Sequence, residues 1–151
     1  MAKTKTLVIV SGYFNPIHEG HLEYLNRSKA LGDFLYVIIN NDLQRELKGS
    51  TPFLTEQQRR TILKNIKAVD DVIISIDKNK FVDKTIELIY KEEAHKYDKI
   101  IFTNGGDQTE ETIGEKSICE RLGIEMVFGL GDKIQSSSWL LKDIITGINK
   151  L

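Results

Sequence analysis

The chain reads as an α/β protein built on a doubly wound, five-stranded parallel sheet, and three observations carry that reading. Apolar runs and helix-period patterns alternate along the 151 residues. The runs are short and nearly unbroken, as in Leu7-Val8-Ile9-Val10 and Phe34-Leu35-Tyr36-Val37-Ile38-Ile39, which suits strands covered on both faces. Glycines stand where runs end, at Gly12 and at Gly105-Gly106. Right-handed crossovers and short loops leave few other arrangements, and in such a sheet the ligand belongs at the strand carboxyl ends.

The elements follow in order. Lys5–Ser11 is the first strand. A helix from about Glu19 to Leu31 comes next, with Gly32 as its C-cap. Phe34–Asn40 is the second strand. Asn41–Pro52 is polar and punctuated by Gly49, Ser50, Thr51 and Pro52, the longest candidate loop of the first half. Thr55 caps a helix whose apolar face is Ile62, Leu63 and Ile66. Val72–Ile76 is the third strand, Phe81 to about His95 a helix, and Lys99–Thr103 the fourth strand. Glu110–Leu122 forms a helix ended by Gly123, and Ile124–Phe128 the fifth strand. Gln135-Ser136-Ser137-Ser138-Trp139 enters a final helix. No internal repeat or linker interrupts the pattern, so residues 1–151 are expected to form one domain.

Composition narrows the class. Hydrophobic content of 40% and charged content of 28% are those of a globular protein. No apolar run reaches bilayer length and no signal-peptide pattern follows Met1, so a cytoplasmic protein without a membrane partner is expected. A single cysteine, Cys119, excludes an internal disulfide and reads as a small buried apolar group. The net charge of −1 argues against a general nucleic-acid binder, so any phosphate must be met by local charge. His95 lies among Lys91, Glu92, Glu93 and Lys96, the setting of a solvated helix end.

Chemistry concentrates in Val10-Ser11-Gly12-Tyr13-Phe14-Asn15-Pro16-Ile17-His18-Glu19-Gly20-His21-Leu22, which reads as strand, tight loop and helix. The first turn of such a helix offers unpaired N–H groups and the positive end of its dipole, a ready anion site. His18 and His21 are three residues apart, hence on one helix face, and both imidazoles can address one phosphate. Gly20 between them lets a nucleotide press on the backbone.

His18-Glu19-Gly20-His21, preceded by Gly12-Tyr13-Phe14-Asn15-Pro16, resembles the HxGH signature of the cytidylyltransferase-like nucleotidyltransferases. That group includes glycerol-3-phosphate cytidylyltransferase, phosphopantetheine adenylyltransferase and the heptose-phosphate adenylyltransferases. The resemblance runs from Leu7 to about Leu141 and implies a Rossmann-like sheet of order 3-2-1-4-5. It implies an enzyme that joins a nucleoside triphosphate to a small phosphorylated metabolite and releases pyrophosphate. His18 and His21 would contact the transferring and departing phosphates, with Lys48 near the α-phosphate or the acceptor. Nucleotide binding would involve Gly12, Tyr13, Phe14, Gly20, Arg59, Gln135, Ser136 and Ser137, with Arg59 bracing the site and the two serines holding the β and γ phosphates. Substrate binding would involve Asn15 and Asp107. Mg2+ would bridge the triphosphate with few dedicated protein ligands, and a homodimer is common among relatives of this size.

The chain departs from the family pattern at Ser50, where a second basic residue is frequent, at Gln135 in place of isoleucine, and at Leu141 in place of a basic residue. Lys133 and Lys142 are the candidates to supply that charge. The position of Lys48 between Asn41 and Arg59 resembles the cytidylyltransferases and favours CTP. Gly105-Gly106-Asp107 resembles the heptose-phosphate enzymes and favours ATP, and Trp139 offers a stacking face to either base. A nucleotide-binding sensor that has lost turnover is the alternative from another class.

Overall fold

The computed structural model describes residues 4–103 and 111–128. Its strands are β1 (Thr6–Gly12), β2 (Phe34–Ile39), β3 (Asp71–Ile74), β4 (Lys99–Thr103) and β5 (Glu125–Val127). Its helices are α1 (Glu19–Lys29), α2 (Asp42–Lys48), α3 (Glu56–Lys64), α4 (Asp83–Glu93) and α5 (Glu111–Leu122), with a 3-10 turn at Ala94–Lys96. All strands are parallel in the order β3-β2-β1-β4-β5. The reversal of direction therefore falls between β1 and β4, which places the crevice at the β1 exit.

The unbroken apolar runs divide by residue parity, as strand geometry requires. Leu7 and Ile9 of β1 face one side with Tyr36, Ile38, Ile100 and Phe102, under Val82, Ile86 and Ile89 of the α4 layer and Ile118 and Cys119 of α5. Val8 and Val10 face the other side with Leu35, Val37 and Ile39, under Tyr24 and Leu25 of α1 and Leu63 of α3. Cys119 is buried, and burial first, then Glu115 and Asp83, push its thiol up to about 12, so it is inert at neutral pH.

The amino-terminal rim of the sheet is closed by one device used repeatedly. Asp33 Oδ2 accepts from Thr6 N at 2.8 Å while Asp33 N donates to Thr6 O at 2.9 Å. Asp98 makes the same reciprocal pair with Lys5, and Asp70 with Leu35. Each aspartate stands just before a strand and satisfies an N–H at the start of the neighbouring one: Thr6 for Asp33, Lys5 just ahead of β1 for Asp98, and Leu35, the second residue of β2, for Asp70.

Several sequence expectations need correction. The segment expected as a loop from Asn41 to Pro52 holds α2. Asn41 caps it, accepting from Gln44 N, while Gln44 returns a bond to Asn41 N, and Gly49 closes it with φ +79°. Gly32 is not a C-cap, since α1 ends at Ala30 in right-handed geometry. Gly32 is needed for space: a Cβ there would lie 2.7 Å from Val8 Cγ2 and 2.8 Å from Thr6 O. The helix expected from Phe81 begins at Asp83, because the buried Asp77 carboxylate accepts from Lys84 N and Thr85 N and so sets its start. Ser75 and Ile76 lie beyond the end of β3. No described helix is long and apolar enough to cross a membrane.

Candidate active site

Gly12 ends β1, and its O accepts from Asn40 N at 2.9 Å, so the loop leaves the sheet beside the end of β2. A Cβ on Gly12 would lie 2.9 Å from the Phe14 ring, which explains the glycine. Phe14 folds back into that space with φ +51° and is 1% exposed. This left-handed backbone is strained in a residue with a side chain and persists because the ring is packed. The same ring meets His21 edge-on, with centroids 5.0 Å apart. The loop's apolar anchor thus becomes the wall of an imidazole.

His18 is the N-cap of α1, and the two histidines form a capping box. His18 Nδ1 accepts from Gly20 N at 3.0 Å, and His21 Nδ1 accepts from His18 N at 3.1 Å. Their rings stack with centroids 3.9 Å apart and planes 21° apart. Because each Nδ1 accepts, each neutral ring carries its hydrogen on Nε2. His18 Nε2 is buried without a partner among the described residues. The expectation of unpaired N–H groups in the first turn is therefore corrected. Gly20 N is taken by His18 Nδ1 and His21 N by His18 O, so the remaining ring donor of each imidazole is Nε2–H.

Burial, then the neighbouring His18, then Lys48 lower the His21 pKa to about 3, and burial lowers that of His18. Both rings are neutral donors at pH 7. The influence of Lys48 on His21 also locates its charge: Lys48 is the last residue of α2, and its Nζ lies 4.3 Å from the centre of the Tyr13 ring.

The structure thus brings Gly12, Tyr13, Phe14, His18, Gly20, His21 and Lys48 to one rim. Arg59 and Asn15 stand behind that rim. Arg59 is 1% exposed; its Nη1 donates to Tyr13 O at 2.8 Å and Asn40 O at 2.6 Å, and its Nη2 to Asp42 Oδ1 at 2.9 Å. Asn15 is 4% exposed; its Nδ2 donates to Thr51 O, and its Oδ1 accepts from Phe53 N and Leu54 N. Asp107, Gln135, Ser136 and Ser137, with Lys133, Trp139, Leu141 and Lys142, lie outside the described residues.

Sequence reasoning missed Asp42, the ion-pair partner of Arg59, and the whole of α2. The signal was present as Asn41-x-x-Gln44, the same cap spacing that Thr55-x-x-Gln58 shows at α3. It also missed Tyr24, whose hydroxyl donates to Thr103 O at 2.7 Å and ties α1 to the end of β4.

Comparison with known proteins bears on the family and the fold. The family profile described as cytidylyltransferase-like matches residues 9–131. The bifunctional protein HldE of Syntrophotalea carbinolica is 36% identical over 121 residues, which are 79% of this chain and 23% of that protein. The chain therefore spans about a quarter of the length of that relative. The FAD synthase of Picrophilus torridus is 30% identical over 147 residues, covering 95% of this chain and 99% of that enzyme. The crystal structure of the lipopolysaccharide core biosynthesis protein from Thermoplasma volcanium GSS1 is 28% identical, with a TM-score of 0.67 over 85% of this chain and 98% of that one. The chain belongs to the cytidylyltransferase-like family of nucleotidyltransferases.

Proposed function

We propose that the chain transfers an adenylyl group from ATP, accompanied by Mg2+, to the phosphate of a small phosphorylated acceptor and releases pyrophosphate. The observation that carries the reading is the stacked His18–His21 pair, which caps α1 through Nδ1 and so keeps each ring hydrogen on Nε2. The acceptor's phosphate oxygen attacks the α-phosphorus in line. A P–O bond forms there as the bond to the β-phosphate oxygen breaks, and pyrophosphate leaves with that electron pair. Two anions must meet, so the protein's task is alignment and charge stabilisation.

His18 and His21 give neutral Nε2–H donors to the transferring and departing phosphates. Lys48 supplies the positive charge. Arg59 acts as a positioning residue that holds Tyr13 and α2, and Asn15 fixes the 51–54 segment beside the loop. Ser136 and Ser137 for the β and γ phosphates, Gln135 beside them, and Asp107 for the substrate complete the reading. Among the described residues no group of three or more His, Cys, Asp or Glu side chains is placed to hold a metal ion. In this reading magnesium arrives with the nucleotide as part of the substrate.

The position of Lys48 favours CTP, but a relative matched over 99% of its length is named for making FAD, a product that contains an adenylyl group. That relative moves the preference to ATP. The decisive experiment offers the four common triphosphates, each with magnesium, against flavin mononucleotide, sugar phosphates and phospho-alcohols, and reads pyrophosphate. Fastest release with ATP supports the proposal, and faster release with CTP reassigns the base. Calorimetric binding without release under any pairing favours the sensor. The homodimer belongs to the same reading, and light scattering that finds a monomer at all concentrations removes it.

A further inference from the structure

Tyr13 does more than lend its backbone to the loop. Its ring lies under the Lys48 ammonium at 4.3 Å, although one residue follows β1 and the other ends α2. A single guanidinium fixes the separation of their elements. Arg59 Nη1 holds Tyr13 O at 2.8 Å, and Arg59 Nη2 holds Asp42 at the first residue of α2 at 2.9 Å. Asp42 N in turn donates to Glu56 Oε1 at 2.9 Å, so α2 is pinned to α3 as well. One end of α2 is thus tied to the backbone of Tyr13 while the lysine at its other end rests on the ring.

A lysine on a long stem is ordered only if something holds its head. A carboxylate would hold it tightly but neutralise it and compete with an incoming phosphate. An aromatic face attracts the ammonium without neutralising it. We propose that Tyr13 is a positioning residue whose ring holds the Lys48 ammonium beside the histidine pair and yields it to substrate phosphate. The inference rests on the role given to Lys48 above. The lowered pKa of His21, to which the Lys48 charge contributes, agrees with the ammonium being kept close.

The test compares Tyr13→Phe, Tyr13→Leu, Lys48→Ala and the Tyr13→Leu/Lys48→Ala double variant, all checked by circular dichroism. Tyr13→Phe keeps the face and is expected to exceed Tyr13→Leu in kcat/KM by roughly two- to fivefold, mainly through KM. In the Lys48→Ala background, Tyr13→Leu should change nothing further. Proton NMR adds a readout independent of turnover: the Lys48 ε-methylene is shifted upfield by the ring in the wild type and in Tyr13→Phe, and returns to its ordinary position in Tyr13→Leu. Equal kcat/KM for the leucine and phenylalanine variants, additive losses in the double variant, or an unshifted wild-type methylene each overturn the inference. If Lys48→Ala loses turnover and Tyr13→Leu does not, only the positioning role falls. If Lys48→Ala keeps wild-type turnover, the role of Lys48 falls with it.

Discussion

The two rims of the sheet are completed by opposite chemistry. At the amino-terminal rim the open groups are N–H, and Asp33, Asp70 and Asp98 meet them with carboxylates. At the carboxyl-terminal rim the open groups are C=O. Arg59 meets Tyr13 O and Asn40 O, Asn41 Nδ2 meets Ser75 O and Asp77 O, and the Tyr24 hydroxyl meets Thr103 O. Parallel strands thus sort the side chains around them: acceptors collect at one end and donors at the other.

The comparison is broken most severely at Arg59. Arg59→Met keeps much of the volume but leaves Tyr13 O and Asn40 O without their donor, so a loss of about 3 kcal/mol or more is expected in urea unfolding, with lost turnover. His21→Ala should leave the sheet intact by circular dichroism and remove about 3 kcal/mol of transition-state stabilisation, roughly a hundredfold in pyrophosphate release. Near wild-type release from the folded variant would show that the rim donors are misassigned.

Acidification separates the rims by titration. The folded pKa of His21 is near 3, below the ordinary value of 6.5, so between those values the unfolded chain binds the extra proton. The stabilising effect of the neutral ring is whole above pH 6.5 and is lost as pH falls toward 3. From pH 7 to pH 5 the wild type should lose about 2 kcal/mol more than His21→Ala. Equal losses in paired denaturant curves would remove this account. The smallest change is at the other end: Asp70→Ala leaves Leu35 N without its acceptor and Lys29 with Asp33 O alone, for about 1 kcal/mol of stability, while kcat/KM stays unchanged.

Legibility in the sequence followed the same division. The fold was readable because β1 and β2 are buried on both faces, and only a nearly unbroken apolar run satisfies that. The apolar face expected for the helix capped by Thr55 was partly readable: Leu63 is buried, but Ile62 is 37% exposed. Helix α2 escaped because it is seven residues long and its one apolar pair, Leu43 and Leu47, is too short a stripe to stand out in a polar segment, and Gly49 to Pro52 looked like loop punctuation when Gly49 is its cap. His18 and His21 could be nominated by local pattern and Lys48 only through the family resemblance, and the structure sets Lys48 on the ring of Tyr13 in the same loop. That the imidazoles cap their own helix was not readable, because cap signals are looked for in hydroxyls, amides and carboxylates. The backward-facing Arg59 and Asn15 depend on partners far away in the chain, which local spacing does not encode.

The capping box has a final consequence for the rate. A neutral imidazole in water has two sites for its ring hydrogen and two ways to turn the ring over, so a pair has roughly 16 permutations, and choosing one corresponds to about 1.6 kcal/mol of ordering. Here two backbone N–H groups make that choice when α1 forms, since each demands a bare Nδ1 facing it. The selection is completed once per folding event instead of once per turnover, and every substrate arrives at rings already dealt in the same hand.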